Sequence, residues 1–574
     1  MMGPMTEHRP WFSRWPDDVP RTLAPYPDIS LTAMFEETVA RFPDRPATAF
    51  FGKHLTYRQL AAQVRRFATV LVDLGVAKGD RVGLLLPNCP QYIIAWYGCQ
   101  RIGAIAVGCN PLYTQRELEH QLTDAGVTVV VALDQVYENL GKVREAAGVR
   151  EVIVTKITDA MKFPLNVLAP IKFKREAKHE GKPWPPVPAG EPVRRWRTLM
   201  KATGVAPPAA TVRPAQEPAA FIYTGGTTGL SKGAMLSHTN LVSNAIQARS
   251  LFSEIVDGQD TVLCVLPFFH SFGTVALNLS IRSGLKVAML PRFDLKMCLK
   301  ELAREKVTLF PGVPRIYIAL NESPETPKYD LKSLKACISG AAPLPLAVAK
   351  KFEQITGGAQ VVEGFGLTEC SPVTHANPVK GLRKEGSIGL PMPDTDVRIV
   401  SLTDPDRDAP LGERGELCVQ GPQVMLGYWN RPDATAEMIR NGWLHTGDIA
   451  LLDEDGYTHI VDRMKDMILV SGFNVYPTEI EDVIFHNPKV LKCCVIGLPD
   501  EVTGERVKAY VVLKPGEAAT ADELEGWCRD PAQGLTGYRV PKDWEFRDTL
   551  PETMIGKVLR RVLLEEERRK AVAS

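Results

Sequence analysis

The stretch YTGGTTGLSKGA, from Tyr223 to Ala234, decides how this 574-residue chain is read. Gly225, Gly226 and Gly229 let backbone N–H groups turn toward a common anion. Thr224, Thr227, Thr228 and Ser231 add hydroxyl donors, and Lys232 adds a cation. These ingredients point to phosphate. They do not make a Walker loop, which needs G-x-x-x-x-G-K-[ST]. Lys232 is followed by Gly233, so the hydroxyl that would hold magnesium after the lysine is missing. The apolar run AAFIY predicts a strand before the stretch, and SHTNLVSNAIQA predicts a helix after it. Taken alone, the stretch also fits a polar glycine-rich turn.

The length exceeds what one core organises, so two or three domains are expected. The formal net charge is +1, which gives the chain as a whole no electrostatic claim on nucleic acid. Eleven cysteines without a C-x-x-C argue against a disulfide framework or a zinc ribbon and fit a reducing compartment. Cys493 and Cys494 sit in an apolar run and read as buried strand residues. The N-terminus lacks the apolar core of a secretory signal. Residues 82–100, VGLLLPNCPQYIIAWYGCQ, are apolar enough to suggest a membrane span. Pro87 and Pro90 divide them instead into a strand, a turn and a buried helix.

Thr56 and Gln59 stand at capping-box spacing. Leu60, Val64, Phe67, Leu71 and Leu74 follow on one helical face, and Gly75 ends it. RVGLLLP, VTVVVAL, TVLCVLP, LKVAML and LKACISG are apolar runs that alternate with helical patterns. This predicts an α/β fold with buried sheets. Asp455-Gly456 marks a turn between two strands. Beyond it, Pro477 opens a helix, VKAYVVL is a strand, and Thr520 with Glu523 starts another helix. The last stretch, residues 465–574, reads as a small α+β domain, with its boundary near Asp462 to Asp466. Residues 156–201 differ: eleven Lys or Arg stand against four Asp or Glu, with Phe163, Phe173, Trp184 and Trp196 interleaved. They read as a surface excursion, either a solvated linker or a contact with an anionic membrane surface.

YTGGTTGLSKGA strongly resembles the phosphate-binding loop of the acyl-adenylate-forming enzymes. PFFHSFG (267–273), EGFGLTE (363–369), GWLHTGD (442–448), DRMKDMILVSGFNVYPTEIE (462–481) and MIGKVLRR (554–561) match further stretches of that family in the same order. The resemblance covers nearly the whole chain. PLYTQRELEHQL, GPQVMLGYWNRPDAT and the Trp-rich N-terminus look most like bacterial long-chain fatty-acid–CoA ligases.

The resemblance implies a large multi-sheet N-terminal domain, residues 1–464, and a small mobile C-terminal domain, 465–574, hinged at Lys465. It implies two half-reactions. A fatty carboxylate and Mg-ATP give acyl-adenylate and pyrophosphate, and coenzyme A then takes the acyl group and releases AMP. Residues Tyr223 to Ala234, including Leu230 and Gly233, would hold the ATP phosphates. Gly340 and Ala341, with Gly364, Phe365 and Gly366, would line the adenine site. Thr368 would bind phosphate and Glu369 Mg²⁺. Asp448 would accept the ribose hydroxyls with Arg463 in support, and His270 would lie near the fatty carboxylate. Gly472 and Phe473 would line the coenzyme A tunnel. Lys557 would be the adenylation lysine, in a stretch that departs from the family's Pro-Lys-[Ser/Thr] by having Pro551-Glu552-Thr553. A cytoplasmic protein, peripheral on the inner membrane face or not, fits this reading, as does a homodimer. Three alternatives stay open: an aryl or shorter-chain acid–CoA ligase, an enzyme loading a carrier-protein thiol, and a silent binder of fatty acid or nucleotide.

Overall fold

The computed structural model describes residues 9–170, 175, 187–188, 190, 192–201, 204–224, 231–530, 535, 537–552 and 558–573. Two large sheets dominate. One has nine strands, of which Ala336–Ser339, Leu309–Gly312, Thr261–Cys264, Lys286–Met289 and Pro46–Phe50 form a parallel core with Gln360–Gly366. The other has eight, with six parallel strands from Pro218–Tyr223 to Val193–Arg195.

Strand periodicity explains the stacking. Successive side chains point to opposite faces. Val262 and Cys264 therefore enter the core between the two sheets, while Leu263 and Val265 enter a second core beyond the nine-stranded sheet. Val129 and Val131 likewise face inward, and Val130 and Ala132 face a third core outside the eight-stranded sheet. Both sheets are covered on both faces, which is why their strands read as continuous apolar runs. Helices Tyr57–Asp73, Pro90–Arg101, His238–Ser250 and Ser271–Arg282 contribute to the middle core. The capping box of Thr56 and Gln59 forms as the spacing predicts. Every residue from Pro90 to Gln100 is buried, so the membrane-like composition of residues 82–100 belongs to a helix enclosed in the middle core. Among the described residues, no helix is long and apolar enough to cross a membrane.

A five-stranded antiparallel sheet follows, with Asp396–Ser401, Gly415–Gln420, Trp443–Leu452 and Thr458–Arg463 as its long strands. Trp11 from the N-terminus and Tyr457 are buried in its core. The turn Met464–Asp466 then leads to the small C-terminal domain. There Ile468–Val470, Phe473–Val475, Val490–Asp500, Gly504–Leu513 and Asp543–Phe546 form one sheet. Helices Pro477–Phe485 and Ala521–Arg529 cover one face through Ile480, Ile484 and Leu524. Helix Arg560–Ala573 packs Leu563 on the other, against Cys494 and Tyr510.

Two expectations are corrected, and one element was not expected. The helix expected from SHTNLVSNAIQA forms as His238–Ser250. Ahead of it lies an unexpected strand, Gly233–Ser237, which pairs antiparallel with Pro218–Tyr223 and with Gly427–Tyr428, so the stretch connects two ladder strands. Cys494 is buried, but Cys493 is only half-buried, its thiol donating to Glu481 O at 3.3 Å. Trp196 is no interfacial residue: it is buried and stacked on Phe67, with ring centroids 4.8 Å apart. It follows strand Val193–Arg195, which pairs with Glu151–Thr155, so the 156–201 excursion returns to the core. Phe163 is exposed, while Phe173 and Trp184 lie outside the described residues.

Candidate functional site

Open parallel sheets take ligands at the carboxyl ends of their strands. Gly340 and Ala341 follow strand Ala336–Ser339, and Gly364, Phe365 and Gly366 end its neighbour Gln360–Gly366. A Cβ on Gly340 would lie 2.9 Å from the Phe272 ring and 3.1 Å from Gly364 O. A Cβ on Gly366 would lie 2.1 Å from Pro372 O. These positions bring two backbones closer than a side chain allows. Ala341 has φ +71°, a conformation that costs a residue with a Cβ roughly 1–2 kcal/mol. Such strain concentrates where a ligand is held.

Glu369 sits in the short turn Thr368–Cys370 and is buried. Its Oε1 accepts from the Tyr428 hydroxyl at 2.5 Å, and its backbone oxygen accepts from Met425 N at 2.8 Å. Burial first, and then the charge of Glu369, raise the Tyr428 pKa, which keeps the phenol protonated as the donor. Lys232 Nζ stands 5.1 Å from the centre of the Tyr428 ring. One tyrosine thus joins the phosphate stretch to the candidate magnesium carboxylate. Thr368 Oγ1 lies 3.5 Å from Ser271 Oγ, at the start of the helix that His270 caps. His270 Nδ1 accepts from Phe272 N at 3.3 Å, so its proton resides on Nε2. The residue as a whole is half-buried, yet its imidazole is shielded enough that burial lowers its pKa to about 4. It is a neutral donor at pH 7, not a cation.

Asp448 and Arg463 are direct partners across antiparallel strands. Arg463 Nε reaches Asp448 Oδ1 at 2.5 Å, and Asp448 is 2% exposed. Thr446 Oγ1 accepts from Asp448 N at 3.0 Å and donates to Leu417 O at 2.8 Å, which fixes the carboxylate's backbone. Two residues beyond Arg463, Lys465 lies in the turn that leaves the large domain. Burial, then the charge of Arg463, lower its pKa, while Asp466, Asp448 and Glu369 act to raise it. The hinge candidate is therefore within electrostatic reach of both candidate carboxylates.

The remaining candidates lie outside the described residues or are held by other contacts. Gly225, Gly226, Thr227, Thr228, Gly229, Leu230 and Lys557 lie outside the described residues. Thr224 N donates to Lys232 O at 3.0 Å, and Tyr223 OH donates to Asp124 at 2.7 Å. Ser231, Gly233 and Ala234 lie on the far side, where Ser231 O contacts His120 Nε2 at 3.1 Å and the other two pair with the preceding strand. Gly472, with φ +82°, and Phe473, 55% exposed, form a hairpin tip in the small domain. Phe473 stacks on Tyr538 at 4.7 Å, within the small domain. Glu552 pairs with Lys492 within the small domain, so its departure from the family stretch is neutralised locally. Arg560 is tied to Glu481 at 2.5 Å and Asp466 at 3.4 Å.

Sequence reasoning passed over Tyr428, Asp124 and Glu363. Tyr428 lies 59 positions from Glu369, beyond any local spacing rule. Asp124 gathers Tyr223 and Arg431 from distant segments. Glu363 accepts from Leu344 N at 3.1 Å, and burial raises its carboxyl to about 7. Only the side chain's enclosure reveals that.

Comparison with known proteins identifies the family. Residues 35–429 match the AMP-binding enzyme family, and residues 479–557 match the AMP-binding enzyme C-terminal domain. The long-chain-fatty-acid–CoA ligase of Bacillus subtilis is 42% identical over 98% of this chain and 99% of its own length. That of Yersinia pestis is 44% identical over 97% and 98%. The ATP-bound crystal structure of MatB from Rhodopseudomonas palustris superposes with a TM-score of 0.80, covering 94% of this chain and 99% of that one at 30% identity. The chain belongs to the AMP-binding enzyme family.

Proposed function

We propose that the protein is an AMP-forming long-chain fatty-acid–CoA ligase. The observation that carries the reading is the pair of carboxylates, Glu369 held by Tyr428 beside Lys232 and Asp448 held by Arg463, beside the carboxyl ends of the sheet. Full-length similarity to long-chain-fatty-acid–CoA ligases supports the substrate class.

In the first half-reaction a fatty carboxylate oxygen attacks the α-phosphorus of ATP, and the bond to pyrophosphate breaks. The neutral His270 Nε2–H is placed to orient that carboxylate without protonating it. Lys232 and Thr224, with the rest of the phosphate stretch, neutralise the departing pyrophosphate. Phe365 offers an apolar face to adenine, and Asp448 accepts the ribose hydroxyls. Glu369 is a hard oxygen donor next to phosphate-binding groups, and only its Oε1 has a hydrogen-bond partner among the described residues, so the site fits Mg²⁺. Bound there, Mg²⁺ would supply charge neutralisation for the phosphates. In the second half-reaction the thiol sulfur of coenzyme A attacks the acyl carbon, the bond to AMP breaks, and the thiol proton leaves.

The contacts between the domains support a hinge at Lys465. They include Arg414 with Glu479 at 2.5 Å and Thr478 N donating to Asp462 at 2.7 Å. Polar contacts of this kind permit rotation. Rotation would let Lys557 serve the first half-reaction and the hairpin at Gly472 and Phe473 serve the second. Exposed Phe163, Leu165, Val167 and Leu168, beside Lys162, support peripheral contact with an anionic membrane from the cytoplasmic side.

The test is fatty-acid-dependent ATP–pyrophosphate exchange, with thioester and AMP read over acids of graded length. Exchange and thioester that peak with long chains are expected. Peak activity with aromatic or short acids overturns the substrate, and absence of exchange overturns the enzyme.

A further inference from the structure

Three side chains with no part in that reaction converge on one face of the antiparallel sheet. Glu416 and Cys418 lie two residues apart on strand Gly415–Gln420, a spacing that puts both on the same side. Leu417 and Val419 point the other way, into the core. His445 on strand Trp443–Leu452 is the direct partner of Cys418. The ligand atoms of all three lie within 4.8 Å of one another. His445 Nδ1 is 2.7 Å from Glu416 Oε2 and 3.2 Å from Cys418 Sγ.

One ring nitrogen cannot serve both neighbours. If Nδ1 carries the proton it donates to Glu416 and has no lone pair for the thiol. If it accepts from the thiol it faces the carboxylate lone pairs. A cation at the centre removes the conflict, because all three groups then present lone pairs to it. Cys418 is buried beside both other groups, and a coordinating metal ionises a thiol outright, so it can serve as a thiolate ligand. The surroundings are also arranged for a metal site. Glu416 Oε1 accepts from Gly447 N at 3.1 Å, which orients the carboxylate. Arg398 is held aside by Asp408 at 2.7 Å and by the Trp443 ring. Arg440, 3.6 Å from Glu416 Oε2, has its side chain 48% exposed.

We propose that Glu416, Cys418 and His445 form a binding site for a divalent cation of the Zn²⁺ class, with a fourth position open to water. A sulfur, a nitrogen and an oxygen make a zinc donor set, whereas magnesium takes oxygen alone. The site is thus chemically separate from Glu369. Binding releases the Cys418 proton.

The experiment strips the full-length protein with a chelator and titrates it with Co²⁺ and then Zn²⁺. A thiolate-to-cobalt absorption band is expected at one equivalent, displaced by one equivalent of Zn²⁺. Cys418→Ser should abolish the band, and both Cys418→Ser and His445→Gln should weaken Zn²⁺ binding by at least about 100-fold. No band in the wild type, or a band retained in Cys418→Ser, overturns the proposal. X-ray absorption on the wild type loaded with one equivalent of Zn²⁺ needs no variant. One sulfur in a shell of nitrogen and oxygen supports the site, and a shell without sulfur overturns it.

Discussion

The chain carries two glycine–lysine stretches, and their flanks are built differently. Tyr223 to Ala234 joins two strands of an eight-stranded sheet, and the strand leading into it is buried from Ala219 to Tyr223. Its lysine, Lys232, is already beside the ring of Tyr428, whose hydroxyl holds Glu369. The stretch with Lys557 is flanked by Pro551, whose oxygen accepts from Leu559 N at 2.8 Å, and by charge pairs, Glu552 with Lys492 and Arg560 with Glu481. All of those belong to the small domain. The stretch with Lys232 is tied into the large fold, whereas the described flanks of the stretch with Lys557 belong to the small domain. On the proposed function, one domain would hold the nucleotide through both half-reactions while the other would contribute to them in turn.

The sharpest break of this contrast is Lys557→Ala. It should lower acyl-adenylate formation by about 10²–10³-fold, a typical loss for one electrostatic group in a transition state. Thioester formation from supplied acyl-adenylate should stay within a few-fold. Equal loss in both half-reactions would show that the two lysines are not divided between the domains.

Asp448→Asn makes the complementary case. Because Asp448 belongs to the anchored part, both half-reactions should weaken, with KM for ATP raised roughly tenfold, about 1.4 kcal/mol. An effect on one half-reaction alone would place Asp448 with the moving part.

Glu363→Gln tests the rigidity of the large site through pH. Burial pushes the folded carboxyl up to about 7, above its ordinary 4.5, so the folded state holds the proton more tightly. Its contribution to stability is fully present below pH 4.5 and lost as pH rises through 7. The variant should therefore match wild type near pH 4.5 and gain roughly 3 kcal/mol relative to it by pH 8. Thermal melts across that range measure the difference, and a gain independent of pH would discount the buried carboxyl.

The smallest effect belongs to the domain contact. Arg414→Ala removes an exposed pair with Glu479 and should change stability by less than about 1 kcal/mol. Thioester formation should change less than twofold. A larger loss in the melts would mean that the small domain is held more firmly than its polar contacts imply.

Local chemistry was readable wherever one segment carried it. Thr56 with Gln59 announced a helix, and Asp455-Gly456 a hairpin. The two carboxylates were readable from the resemblance that their stretches carry. The strand Gly233–Ser237 was not, because five residues with small side chains become a strand only when paired on both sides. Trp196 misled for a related reason. Basic neighbours made it look interfacial, and only the stacking partner Phe67, far away in sequence, shows that it is core.

The amino-acid order by itself therefore determined the alternation of elements, the family and the two-part organisation, since these rest on spacing, motif and composition within short windows. Tertiary structure alone decided that Tyr428 holds Glu369, that Arg463 holds Asp448, that Glu363 keeps its proton to about 7, and that Glu416, Cys418 and His445 meet. Each of those depends on desolvation or on a contact between strands, and neither exists until the chain has closed on itself.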